Sequence, residues 1–207
     1  MASHKLIRLL AVAGMAALLP LANSSSAFAA TDAGNWVLHN DTTGQCADVL
    51  GTGAQPSGTP VWQDTCAYGS GDNQEWGELD TRVVDGHQLF VLVNVKSQLC
   101  LDLPGYGSAP SGSATSLYAC NSNSVNDNQE WYLNPIPGLA GDQYEIVNYK
   151  DGLCLDVEGW ASLHTDANNR ALLDVYACSG SGGDWVGGGA PFPGYDDHVW
   201  TMEEEVS

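Results

Sequence analysis

Positive charge is almost missing from this chain, and its absence excludes more than any single motif does. Six Lys and Arg stand against 25 Asp and Glu in 207 residues, a formal net charge of −19. Phosphate and sulfate polymers are held by clustered Lys and Arg, so nucleic acid, heparin-like glycans and anionic membrane surfaces are repelled. A neutral ligand suits this balance, and the charge also keeps a protein soluble. Helical periodicity is scarce as well. After the first residues, short apolar or alternating runs are broken by turn-forming clusters such as GTGAQPSGTP from Gly51 and GYGSAPSGSA from Gly105. That is an all-β pattern.

Long apolar runs are also lacking. Leu9 to Ala22 falls short of the roughly 20 residues of a membrane span and is interrupted by Pro20, so no membrane span is expected. Lys5 and Arg8 before this stretch and Ala27-Phe28-Ala29 after it read as a secretory signal over residues 1–29, cleaved before Ala30. The expected protein is secreted and extracellular, a single domain over residues 30–207 with four basic residues against 25 acidic ones.

What is present is a unit written three times. Cys46, Cys100 and Cys154 are 54 residues apart, as are Asp48, Asp102 and Asp156. Each copy opens on a strand-like segment (WVLHN from Trp36, FVLVN from Phe90, YEIVN from Tyr144), passes through CADV, CLDL or CLDV, and closes at Trp76, Trp131 or Trp200. The copies run over about 35–88, 89–142 and 143–207 with no linker between them, as expected of units that share one core. The third copy carries a Gly-rich insertion after Cys178 that includes Trp185, Phe192 and Tyr195 and reads as a surface loop or a flap. The run Glu203 to Glu205 reads as a solvated tail.

Six cysteines in an exported chain imply disulfides. Pairing that treats every copy alike joins Cys46 to Cys66, Cys100 to Cys120 and Cys154 to Cys178. Each closes a loop of about 20 residues, a stabilisation of about 3 kcal/mol in the chain-entropy view. A metal site would need a CxxC spacing or a His cluster; His198 alone makes neither a metal nor a catalytic site, and no cofactor is expected. The acids Asp184, Asp196 and Asp197 match no calcium loop.

Residues two apart on a strand share a face. Cys100 and Asp102 therefore face one way while Leu101 and Leu103 face the core. If the disulfide sets the pairing, Asp102 lies across from Tyr118, Asp156 from Tyr176, and Asp48 from Asp64, with the first copy's ring displaced to Trp62. A carboxylate beside an exposed ring suits a sugar: the carboxylate accepts adjacent hydroxyls and the ring packs on the C–H face. Asn128 and Gln129 could add amides, as Asn73 could in the first copy; Tyr106 and Trp160 follow the aspartate by four residues where the first copy has Thr52. The third copy has Asp197 and His198 in place of Asn128 and Gln129. The second copy is the most complete, and little binding is expected in the first. Other readings stay open at this point: the three tryptophans as core, Asp102 as a turn-stabilising acid and Tyr118 as an ordinary strand residue.

Three C-x-D segments, an aromatic residue two before the second cysteine, and N-Q-x-W or a variant resemble the ricin B-chain type β-trefoil over essentially the whole chain after residue 29. The resemblance implies twelve strands in three lobes, one disulfide per lobe, and up to three shallow sites for galactose- or xylose-type sugars. It assigns sugar contacts to Asp102, Tyr118, Asn128, Asp156 and Tyr176, while Asp64 and Asp197 depart from the pattern. The expected protein is a carbohydrate-binding monomer without enzymatic activity. A small glycosidase, using Asp48 with Asp64 or Asp196 with Asp197, and a trefoil inhibitor of another protein are the alternatives.

Overall fold

The computed structural model describes residues 35–69, 71–121, 126–136, 143–159, 170–178 and 197–205. The leader, Trp160, Asp184, Trp185, Phe192, Tyr195 and Asp196 lie outside these residues. No described helix is long and apolar enough to cross a membrane.

The described residues are strands joined by turns. The first lobe holds β1 (Asn35–Asn40), β2 (Cys46–Asp48), β3 (Trp62–Asp64) and β4 (Glu75–Val84). The second holds β5 (His87–Asn94), β6 (Leu99–Asp102), β7 (Ser113–Ala114), β8 (Ser116–Tyr118) and β9 (Trp131–Pro135). The third holds β10 (Gln143–Asn148), β11 (Leu153–Val157), β12 (Leu173–Ala177) and β13 (Trp200–Glu204). The first and last strands of the lobes close on themselves in the order β1, β4, β5, β9, β10, β13 and back to β1, every pair antiparallel. The inner hairpins β2–β3, β6–β8 and β11–β12 are the second layer. This is a β-trefoil. The thirteenth strand is β7, two residues that pair with β12 across a lobe boundary.

Repetition in sequence becomes repetition in the core. Leu38, Leu92 and Ile146 from the opening strands, Ala47, Leu101 and Leu155 from the C-x-D strands, and Trp76, Trp131 and Trp200 are all buried in one cluster. The hairpins meet around the pseudo-threefold axis in a closed cycle of backbone hydrogen bonds. Val61 N–H donates to Thr115 C=O (3.2 Å), Thr115 N–H to Leu173 C=O (2.8 Å), and Leu173 N–H to Val61 C=O (3.0 Å). All three expected disulfides are present, each with its Cα atoms 5.0 Å apart. Glu203 and Glu204 are not a tail: β13 pairs them with Val37 and Trp36, because closing the barrel requires a strand between β1 and β10.

A second cycle links neighbouring lobes through the asparagines that end the opening strands. Asn94 Nδ2 donates to Asn73 C=O (2.9 Å), Asn148 Nδ2 to Asn128 C=O (2.7 Å), and Asn40 Nδ2 to Asp197 C=O. Each Oδ1 also accepts from the following turn, Asn148 from the N–H groups of Lys150 (3.0 Å) and Asp151 (3.3 Å). All three asparagines are fully buried, so truncation strands the partner groups away from water. Asn148→Ala is therefore expected to destabilise the protein by about 2–4 kcal/mol, and Tyr106→Ala at the surface by less than about 0.5 kcal/mol. Urea unfolding of the two variants measures the difference; equal midpoints would contradict the lobe-linking role.

Candidate functional site

The tryptophan that closes each copy is a core residue with one polar task. Its indole N–H donates to the carbonyl of the middle residue of C-x-D: Trp76 to Ala47 (3.2 Å), Trp131 to Leu101 (3.4 Å) and Trp200 to Leu155 (3.0 Å). This bond fixes the strand from which the aspartate projects. The glutamine two residues earlier clasps the loop after the hairpin. Gln74 Nε2 donates to Thr65 C=O (3.0 Å) while its Oε1 accepts from Ala67 N–H (2.8 Å). Gln129 Nε2 donates to Ala119 C=O (3.1 Å) and to Asp102 Oδ1 (2.9 Å), and its Oε1 accepts from Asn121 N–H (2.8 Å). Gln129 thus orients the aspartate from beneath.

The strand register corrects the expected pairing in every lobe by two residues. Cys46 pairs with Asp64, Cys100 with Tyr118 and Cys154 with Tyr176, so Asp48 lies opposite Trp62, Asp102 opposite Ser116, and Asp156 opposite Asp174. The reason is that the second cysteine is not a ladder residue in any lobe: β3 ends at Asp64, β8 at Tyr118 and β12 at Ala177, before Cys66, Cys120 and Cys178. The disulfide is then a diagonal staple. The opposed carboxylates are in the third lobe, while the first lobe has a ring directly across from its aspartate. Asp64 is drawn off to Arg170, its Oδ2 lying 3.5 Å from Nε.

Asp102 and Tyr118 are diagonal neighbours, at about 7–8 Å on sheet geometry, yet they share one cavity. This cavity, of about 260 Å³, is lined by Asp102, Tyr106, Tyr118, Asp127, Ser116 and Gly58, with Pro104 and Gly105 at its rim. Tyr106 is 78% exposed and Tyr118 47%, whereas Asp102 is 6% exposed. The expected outer-face aspartate is instead a recessed floor group beneath two exposed rings. Asn73, Asn128, Gln129 and Asp197 are buried too and serve the frame. Asn128 Nδ2 donates to Gly107 C=O (3.0 Å), and Asn73 Nδ2 to Gly53 C=O (2.8 Å). Among the described residues, the Oδ1 atoms of Asn73 and Asn128 have no hydrogen-bond partner. Tyr176 is half-buried beside Asp174 in β12.

Asp127 escaped the sequence reading. Its Oδ2 accepts from Asn121 Nδ2 (2.9 Å) and its Oδ1 from Asn128 N–H (2.9 Å), which holds it at the cavity wall. The signal was available, since D-N-Q-E-W occurs at both Asp72 and Asp127.

Burial sets the charge state of these acids. It pushes the Asp48 carboxyl up to about 7, helped by Asp72 and Asp64. It pushes Asp102 up to about 6, against the Gln129 hydrogen bond and with help from Asp127. In the third lobe burial raises Asp174 to about 6 and lowers His198 to about 4, so the imidazole is neutral where its Nε2 lies 3.3 Å from Asp156 Oδ1.

The sequence profile described as "Ricin-type beta-trefoil lectin domain-like" matches residues 26–118 and 81–171. The designed threefold-symmetric protein ThreeFoil shares the fold, with a TM-score of 0.58 and 20% identity over 81% of this chain and 96% of its own. So does 1,3Gal43A, an exo-beta-1,3-galactanase from Clostridium thermocellum, with a TM-score of 0.58 and 21% identity over 84% of this chain and 30% of that one. The Rhizoctonia solani agglutinin gives 0.54 and 16% over 84% and 97%. No curated protein sequence matches the chain.

Because the folded-state value of Asp102 is raised, its neutral form is the one the fold favours. That stabilisation is complete below about pH 3.8 and is lost as the pH rises through about 6. Asp102→Asn keeps the acceptor for Gln129 and removes the charge, so it should leave stability near pH 4 unchanged and raise it at pH 8, on the order of 1 kcal/mol after solvent screening. Thermal unfolding across this range reads the crossover; a variant less stable than wild type at pH 8 would refute the assigned cause.

Proposed function

The chain belongs to the ricin-type beta-trefoil lectin-like family, and on that premise we propose that it is a secreted, non-enzymatic carbohydrate-binding protein whose main site is the second-lobe cavity. The carrying observation is the placement of a recessed carboxylate, Asp102, under two exposed rings, Tyr106 and Tyr118, in a cavity of about 260 Å³. That volume accepts one sugar ring and leaves much of it in water. Ionised Asp102 accepts two adjacent hydroxyls, the tyrosine faces cover C–H groups, and Asp127 offers a further acceptor at the wall. A neutral glycan of galactose or xylose type presents such hydroxyls and C–H groups, and the acidic surface repels anionic ones.

Asp48 facing Trp62 makes the first lobe the second candidate, in place of the third. The lectin-like family and the agglutinin and galactanase that share the fold support binding. Three disulfides and the leader-like segment over residues 1–29 support secretion. A glycosidase is disfavoured because the C-x-D aspartate is repeated at the equivalent place in all three lobes, and Asp64, one half of the suggested pair, lies against Arg170.

A monosaccharide should bind in the millimolar range, about −4 kcal/mol, and a polymer spanning two sites should be retained about 100-fold better. Asp102→Asn and Tyr118→Ala should each weaken second-lobe binding by about 10-fold or more. Calorimetry with galactose and xylose, pull-down on insoluble galactan and xylan, and a reducing-sugar assay test this reading. Undiminished binding by folded Asp102→Asn would remove Asp102 as the reading group, and sugar release by the wild type would restore the enzyme reading.

A further inference from the structure

In the third lobe two neutral amides of the frame are replaced, and the replacements converge on one point. Where the first two lobes have Asn73-Gln74 and Asn128-Gln129, the third has Asp197-His198. Gln129 makes three hydrogen bonds. His198 stands in the same place, 1% exposed, and among the described residues neither ring nitrogen makes a hydrogen bond. Its Nε2 lies 3.3 Å from Asp156 Oδ1. One ligand-type atom from each of Asp156, Asp197 and His198 lies within 4.8 Å of the others, and all three residues are buried. Asp174 sits directly across the ladder from Asp156.

We propose that Asp156, Asp197 and His198 bind a divalent transition-metal ion of the zinc type, with Asp174 in support. Donors about 2.0–2.1 Å from a tetrahedral ion are separated by roughly 3.3–3.4 Å, and the His198–Asp156 separation of 3.3 Å matches that edge. An imidazole nitrogen among carboxylate oxygens selects zinc-like ions over calcium and magnesium, which take oxygen alone. The donors are held on both sides by bonds common to all lobes: Asn40 Nδ2 to Asp197 C=O, and Trp200 Nε1 to Leu155 C=O. The ion takes the part that the Gln129 amide plays in the second lobe, joining the closing segment to the C-x-D strand.

The full chain, stripped with EDTA and dialysed, should take up one equivalent of Zn²⁺ in calorimetry. Zinc at 100 times its Kd should raise the unfolding temperature by about 5–10 °C. His198→Gln, which restores the amide of the other lobes, should abolish both effects, as should Asp197→Asn, while Asp102→Asn should keep them. Co²⁺ should give the intense visible bands of a four-coordinate site in wild type and not in His198→Gln. Absence of zinc uptake by the wild type, equal uptake by folded His198→Gln or Asp197→Asn, or a response to Ca²⁺ but not Zn²⁺ would overturn the proposal. If one variant fails to fold, the other variant and the wild-type stoichiometry still decide it.

Discussion

Three backbone hydrogen bonds follow one another around the pseudo-threefold axis, from Val61 to Thr115 to Leu173 and back to Val61, and the rest of the molecule depends on that closure. Each lobe contributes one donor and one acceptor and can satisfy neither by itself, so a single copy would leave both unpaired in an apolar centre. The cycle is repeated one layer out by Asn40, Asn94 and Asn148, each reaching into the preceding lobe. The indoles of Trp76, Trp131 and Trp200 then carry the constraint to the C-x-D strands. The C-x-D aspartates are thus positioned by bonds that buried residues of the frame make to the backbone beside them.

The 54-residue period made the lobes, the disulfide partners and the buried tryptophans readable before any coordinates, because one core shared by three copies must place equivalent residues equivalently. The register was not readable. Assuming that bonded cysteines face each other across a ladder moved every pair by two, since Cys66 and Cys120 have already left the strands that end at Asp64 and Tyr118. Burial of Asp102 was hidden for a related reason: alternation tells which face a residue takes, not what covers that face, and here it is Gln129. The nearness of Asp156 to His198 could not be read because 42 positions of the numbering separate them and only strand pairing brings them together.

One frame therefore carries three unequal mouths. The residue opposite the aspartate is Trp62, Ser116 or Asp174, and this single ladder position gives a ring, a space or a second carboxylate. The second lobe uses the space: Tyr106 and Tyr118 stand around it rather than across from the aspartate. The frame tolerates the variation because its own bonds run through backbone carbonyls and amides, which substitution at the mouth does not alter. Burial raises Asp48 and Asp102, the C-x-D aspartates of the first two lobes, and raises Asp174, which stands across the ladder from the third lobe's Asp156.

Strand β13 lies between β1 and β10, with Trp36 paired to Glu204. The chain's first described strand thus waits for its last before its edge is covered. Until residues 200–204 arrive, β1 presents an unpaired edge and the Asn40 amide has no lobe to bridge to. Pairings between such distant parts of a chain form slowly, and exposed strand edges invite association with other chains. A chain in which β13 has not docked leaves the β1 edge open to association with other chains, and pairing of residues 200–204 removes that hazard.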